Sequence, residues 1–128
     1  MTPNEAQSAM TELEQELNRL QRAIRLAIQT QLAKLTGKSL GDLEQNKQLA
    51  ASIHRLLESH ALRIRCNECG HAAILRVSPR PGTPAGVFVF DHTIDGKRTF
   101  HGGKVTVPVI RLVAKPARKK PSSRRVAS

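Results

Sequence analysis

A chain of 128 residues with 21 Lys and Arg against 10 Asp and Glu carries a net charge of +11, two Cys, three Phe and neither Trp nor Tyr. That length holds one small core plus appendages, and so few aromatics argue against a large one, so a bound metal or self-association is expected to support the fold. No apolar run approaches membrane-spanning length, and Met1-Thr2-Pro3-Asn4-Glu5 lacks the basic-then-apolar plan of a secretory leader, which predicts a cytoplasmic protein with no membrane partner.

The charge is unevenly divided. Residues 1–62 hold seven basic and seven acidic side chains, whereas residues 63–128 hold fourteen Lys or Arg against Glu68, Asp91 and Asp95 and so carry the whole +11. A surface this one-sided attracts polyanions, and nucleic acid is the commonest of these inside a cell. The chain divides accordingly into a helical segment over 1–61, a β-module over 62–114 and a basic tail over 115–128.

In chain order, Thr2-Pro3-Asn4-Glu5 reads as a helix start: Thr2 caps, Pro3 suits the first turn and Glu5 answers the cap three residues on. Met10, Leu13, Leu17, Leu20 and Ile24 then recur at steps of three and four, a narrow coiled-coil seam that broadens after Arg22. Gly37 ends this helix, and Ser39 with Asp42 three residues later reads as a second cap. A second helix follows to about His60, with Leu43, Leu49, Ala50, Ile53, Leu56 and Leu57 on its apolar side. The short connection predicts an antiparallel helical hairpin, coiled-coil-like in character. At 1.5 Å per residue the helices span roughly 49 and 31 Å, so the first overhangs the second. An overhanging apolar seam predicts a homodimer through residues 10–24. His54 and His60, six residues apart, lie on different helix faces and are not expected to share a metal.

From Leu62 the period becomes two. Leu62, Ile64 and Cys66 alternate with Arg63 and Arg65, and Ala72–Val77 forms a second strand after the Cys66-Asn67-Glu68-Cys69-Gly70 turn. Residues 78–86 hold three prolines and two glycines and are expected as a loop. Val87–Ile94 and Lys97–His101 flank Asp95-Gly96, a strong two-residue hairpin signal. That turn pairs Ile94 with Lys97, His92 with Thr99 and Phe90 with His101, and places Phe90, His92 and His101 on one face. Val105, Val107, Val109, Arg111 and Val113 alternate along a last strand, where Pro108 argues for an edge position.

Cys-x-x-Cys-Gly at a bend between strands is half of a structural zinc site, because two intervening residues let both thiolates reach one ion. The hairpin register makes His92 and His101 diagonal neighbours on one face. The expected site is therefore one zinc held by Cys66, Cys69, His92 and His101, in a zinc-ribbon-like antiparallel module. His71, directly after the knuckle, is the alternative to either histidine. The reading without metal leaves two reduced core thiols.

The tail Lys115-Pro116-Ala117-Arg118-Lys119-Lys120-Pro121-Ser122-Ser123-Arg124-Arg125 mixes six charges with proline and serine, a composition expected to be disordered and able to grip phosphates. Candidate nucleic-acid contacts are Arg63, Arg65, Arg98, Lys104, Lys115, Arg118, Lys119, Lys120, Arg124 and Arg125. With Phe88 and Phe90 expected in the core, base stacking is poorly supplied, which favours duplex DNA over RNA as the partner.

Cys66-x-x-Cys69-Gly70, then Asp91-His92, then Gly102-Gly103, resembles the front half of a zinc-containing HNH nuclease. In that family an Asp-His pair lies on a hairpin before Gly-Gly and the histidine activates water, which would give His92 that role here. The chain departs from the pattern after Gly103, where a strand replaces the family's metal-binding helix, and it lacks a second cysteine pair. The sequence therefore predicts an α+β protein that is a non-enzymatic nucleic-acid-binding accessory protein. A protein–protein adaptor using ribbon and hairpin is the alternative, and a degenerate HNH-like nuclease the third reading.

Overall fold

The computed structural model describes residues 1–117, and the expected contacts at Arg118, Lys119, Lys120, Arg124 and Arg125 lie outside them. The fold is α+β. Two helices, α1 (Pro3–Ala33) and α2 (Leu43–Ser59), precede five strands: β1 (Leu62–Arg65), β2 (Ala72–Arg80), β3 (Thr83–Ile94), β4 (Lys97–Lys104) and β5 (Leu112–Ala114). The strands form one antiparallel sheet in the order β4-β3-β2-β1-β5.

α1 begins as its first residues dictate. Thr2 Oγ1 accepts from the Glu5 amide at 3.1 Å, and its hydroxyl lies 3.1 Å from Glu5 Oε1, a reciprocal cap with Pro3 in the first turn. α1 spans about 47 Å but buries only Ile28 and Leu32. The seam from Met10 to Ile24 is 41–52% exposed. α2 buries Asn46, Ala50, Ile53 and Leu57, at steps of four and three, against the sheet.

The core lies between α2 and one face of the sheet. On β1 that face presents Leu62 and Ile64, on β2 Ala73, Leu75 and Val77, and on β3 Phe88 and Phe90, all buried. The registers Ile64↔Ala73, Leu75↔Phe90 and Val77↔Phe88 put these side chains in layers beneath α2.

Four expectations need correction. The helices do not form a close coiled pair: α2 lies across β1, β2 and β3 and scarcely approaches the α1 backbone. α1 instead reaches the 110–112 segment, where Arg25 Nη2 donates to the Leu112 carbonyl (2.6 Å) and Gln29 Nε2 to the Ile110 carbonyl (2.5 Å). Those side chains cover the start of β5 and the residues leading into it, a way to blunt an edge strand.

The second correction is the α2 cap, which is Asp42 and not Ser39: the Asp42 carboxylate accepts from the Glu44 amide at 2.8 Å. Ser39 Oγ is drawn to the Gly41 amide and to the buried Asn46.

Third, residues 78–86 are not a loop. β2 runs to Arg80 and β3 starts at Thr83, joined by Pro81-Gly82 and paired Arg80↔Thr83. The register slips between Ser78 and Arg80, so Pro84, Ala85 and Gly86 oppose Pro79 alone, and a bulge is where a strand tolerates proline. Gly86 (φ +73°) is required there, because a Cβ would stand 2.6 Å from Leu43 Cδ1 and 2.9 Å from the Ser78 carbonyl.

Fourth, the last strand shrinks to Leu112–Ala114. Val107 exchanges backbone hydrogen bonds with the interhelix connection (Gly37 N to Val107 O and Val107 N to Lys38 O, both 2.8 Å), and Val107 and Pro108 are both buried, which breaks the alternation.

Candidate metal centre

Cys66 leaves the end of β1, and Cys69 follows within the turn that returns the chain to β2. The turn is closed by Cys66 N to His71 O (2.8 Å) and Gly70 N to Cys66 O (2.9 Å). His92 and His101 come from the β3–β4 hairpin, whose register is Ile94↔Lys97, His92↔Thr99 and Phe90↔His101. The two-residue turn at Asp95-Gly96 sets that register, with both residues at positive φ.

A flat sheet would separate β1 and β4 by three interstrand steps, about 14 Å. The knuckle folds over the core face and closes this gap. Cys66 Sγ lies 3.4 Å from His101 Nδ1, and Cys69 Sγ lies 3.0 Å from His92 Nε2. One donor atom from each of the four residues falls within 4.8 Å of the others. A tetrahedral ion with bonds near 2.3 Å to sulfur and 2.05 Å to nitrogen has S···N edges of about 3.6 Å, so the cluster could hold a metal ion with little adjustment.

Neighbouring groups set the ligand chemistry. His92 Nδ1 lies 2.7 Å from the Thr99 carbonyl, so it carries the proton and leaves Nε2 as the donor toward the cluster. Glu68 Oε2 accepts from the Gly102 amide at 2.5 Å, and Asn67 Nδ2 donates to the Val109 carbonyl at 2.9 Å. The first bond ties the knuckle to β4 across the module, the second to the segment leading into β5 beside β1, and neither residue was singled out from the sequence. Burial pushes the Cys66 thiol up, while the Glu68 and Cys69 amides favour the thiolate. A cation would overcome that cost. His71 is exposed and approaches Cys69 Sγ with Nδ1 at 3.3 Å, but it is not among the four mutually close donors.

The strand alternation separates Asp91 from His92. His92 joins the cluster on the core face, and Asp91, 7% exposed, lies on the other. There its carboxylate accepts from Arg76 Nε (2.5 Å) and from Arg98 Nε and Nη2 (3.1 and 2.8 Å). The Arg98 hydrogen bonds, with help from Arg76, hold its carboxyl below the ordinary carboxylate range against the opposing effect of burial. Arg98 also stacks over Phe100, 5.1 Å from the ring centre.

The other expected phosphate contacts are dispersed. Arg63 and Lys115 both bind the Glu58 carboxylate. The Lys115 hydrogen bond, then that of Arg63, lowers Glu58 to about 2. Arg65 is exposed beside Gly70, and Lys104 is exposed at the end of β4. Arg76, Arg80 and Arg111 were not anticipated. In the sequence Arg76 stands only as a member of the Ala72–Val77 strand and Arg80 as part of the 78–86 loop. Arg80 crosses β3 so that its Nη1 sits 3.1 Å from where a Gly103 Cβ would stand. Among the described residues no helix is long and apolar enough to cross a membrane.

Compared with protein-family models, with curated proteins and with solved structures, the chain finds no match.

Proposed function

We propose that this protein is a non-enzymatic nucleic-acid-binding accessory protein, with duplex DNA the preferred partner. In this reading a structural zinc ion organises a zinc-ribbon-like module, and residues 10–24 of α1 pair two copies as a short coiled coil. Two thiolates and two imidazoles form a soft, four-donor set that suits zinc. All four positions come from protein side chains, with none left for water or substrate, which supports a structural role over a catalytic one. A nuclease has less support: His92 belongs to the cysteine cluster, and Asp91 serves two arginines on the opposite face.

The observation that carries the nucleic-acid reading is the segregation of charge. Residues 63–128 supply the entire +11, and the exposed basic groups of the sheet and its loops, Arg65, Arg76, Arg80, Arg98, Lys104 and Arg111, are relieved by few acids. Phe88 and Phe90 are buried and Phe100 alone is exposed, so backbone contact outweighs stacking on unpaired bases. The exposed α1 seam, with its coiled-coil spacing, supports self-pairing. It equally favours the second reading, an adaptor that docks a partner's helix.

Metal analysis coupled to a salt-resolved duplex titration tests the proposal. The purified protein should carry about one zinc per chain, and Cys66→Ser should lose it. Deleting residues 115–128 should lower the slope of log K on log salt by roughly 4 to 5 if about five phosphates are engaged. Metal-free protein with an intact cooperative melt would refute the zinc site. Absence of duplex binding at low salt would give the case to the adaptor.

A further inference from the structure

On β2, β3 and β4 the side chains that alternate away from the donor cluster carry an arrangement that the metal centre does not use. Asp91 is buried to 8% side-chain exposure beneath two guanidiniums that are 50% (Arg76) and 63% (Arg98) exposed. They arrive from the strands on either side of β3: Arg76 stands in register with Val89 on β2, and Arg98 with Thr93 on β4. One carboxylate thus holds two cations that would otherwise repel each other, and one positive charge is left unmatched within the triad. Arg98 is held three ways, by both Asp91 oxygens and by the Phe100 ring.

Each guanidinium has five N–H donors. Arg76 spends one on Asp91 and Arg98 spends two, which leaves seven N–H groups in two oriented forks at the solvent surface. The same residues, with Arg63, Ile74 and Thr93, line a depression of about 320 Å³. Oriented paired forks with an unmatched positive charge fit a tetrahedral, multidentate anion better than a flexible lysine would.

The geometry points to a phosphate clamp: Arg76 and Arg98, positioned by Asp91, seat one backbone phosphodiester of the bound nucleic acid. The inference rests on the nucleic-acid reading above and locates its contact around the Asp91 triad, with Arg63 in the same depression. Asp91 is a positioning residue. It gives the clamp its shape at the cost of one unit of attraction.

That cost makes the clamp separable from general electrostatics. The probe is a fluorescein-labelled 20-base-pair duplex, followed by anisotropy over a series of salt concentrations. Arg76→Ala with Arg98→Ala should weaken binding roughly tenfold or more and reduce the salt slope by about one to two. Arg76→Lys with Arg98→Lys keeps the charge and removes the forks, so it should lose affinity with little change in slope. Asp91→Asn raises the net charge by one. Charge alone predicts tighter binding, and the clamp predicts weaker binding.

Metal content and the melt establish that each variant is folded. Should Asp91→Asn fail to fold, the lysine pair, on two exposed side chains, decides. Tighter binding by folded Asp91→Asn, or wild-type affinity in the lysine pair, overturns the clamp while leaving nucleic-acid binding intact. A wild-type protein that ignores the duplex at low salt overturns both.

Discussion

Asn46→Ala tests whether a single buried amide joins the helices to the sheet. Asn46 is completely buried on α2, and its side chain makes three hydrogen bonds. Oδ1 accepts from the Leu40 amide (3.0 Å), and Nδ2 donates to Ser39 Oγ (3.1 Å) and to the Ala85 carbonyl (3.2 Å). The first two fix the connection between the helices, and the third reaches the β2–β3 tip. Leu40 and Ser39 are exposed, so their freed groups recover water, at a net loss of about 0.5–1.5 kcal/mol each. Ala85 is half-buried and faces a vacated site, which costs about 1–3 kcal/mol. The total is about 2–6 kcal/mol, or about 6–30 °C in Tm for a chain of this size. Ser39→Ala removes the acceptor of one Asn46 donor and of the Gly41 amide and should cost less than Asn46→Ala, about 1–2 kcal/mol. Urea unfolding of metal-loaded protein reads both, with the midpoint shifted and the slope unchanged. Asn46 and His92 act near opposite ends of β3, about 23 Å apart from Ala85 to His92, so Asn46→Ala should keep its metal. A loss below about 0.5 kcal/mol, or metal lost together with stability, would refute the reasoning.

Two other outcomes are expected. Glu58 is held at about 2 by Lys115 and Arg63, so its folded value is depressed and its contribution is present above the ordinary value of 4.5 and fades as pH falls toward 2. The stability difference between the wild type and Glu58→Gln should therefore be largest near neutrality and shrink below pH 4.5, and a difference that grows on acidification would contradict the assignment. Leu13→Glu with Leu17→Glu should convert a dimer to a monomer in light scattering without changing metal content, since both side chains are about half exposed in the isolated chain. A wild-type protein that scatters as a monomer would rule out pairing through α1.

What the sequence disclosed was local chemistry. Asp95-Gly96 imposes a two-residue turn, which fixes the His92–Thr99 register and hence the side on which both histidines lie. The cysteine spacing supplies the other two donors. These signals span few residues, and nothing distant competes with them. Where tertiary contacts compete, local reading failed. The prolines at 79, 81 and 84 signal a loop, but they fall at a bulge and a turn that the hairpin accommodates. Ser39 is a sound cap by propensity, yet Asn46 draws it inward and Asp42 takes its place. Val105–Val113 has strand periodicity, but Val107 pairs with the Gly37-Lys38 connection 70 residues earlier. The ion pairs of Arg63 and Lys115 with Glu58 likewise depend on a chain course that composition does not encode.

Because Asp91 and His92 are consecutive in a strand whose side chains alternate, the donor cluster and the arginine pair share one reading frame of the backbone. Inserting or deleting one residue between Val87 and Asp91 would turn a carboxylate toward the cysteines and an imidazole toward the arginines, disabling both faces in a single step. The same change at Pro81-Gly82, beyond the bulge, would be absorbed in the tip. Tolerance to length variation in this chain is therefore sharply polarised along one hairpin: permissive where β2 turns into β3, and closed within the last seven residues before Ile94.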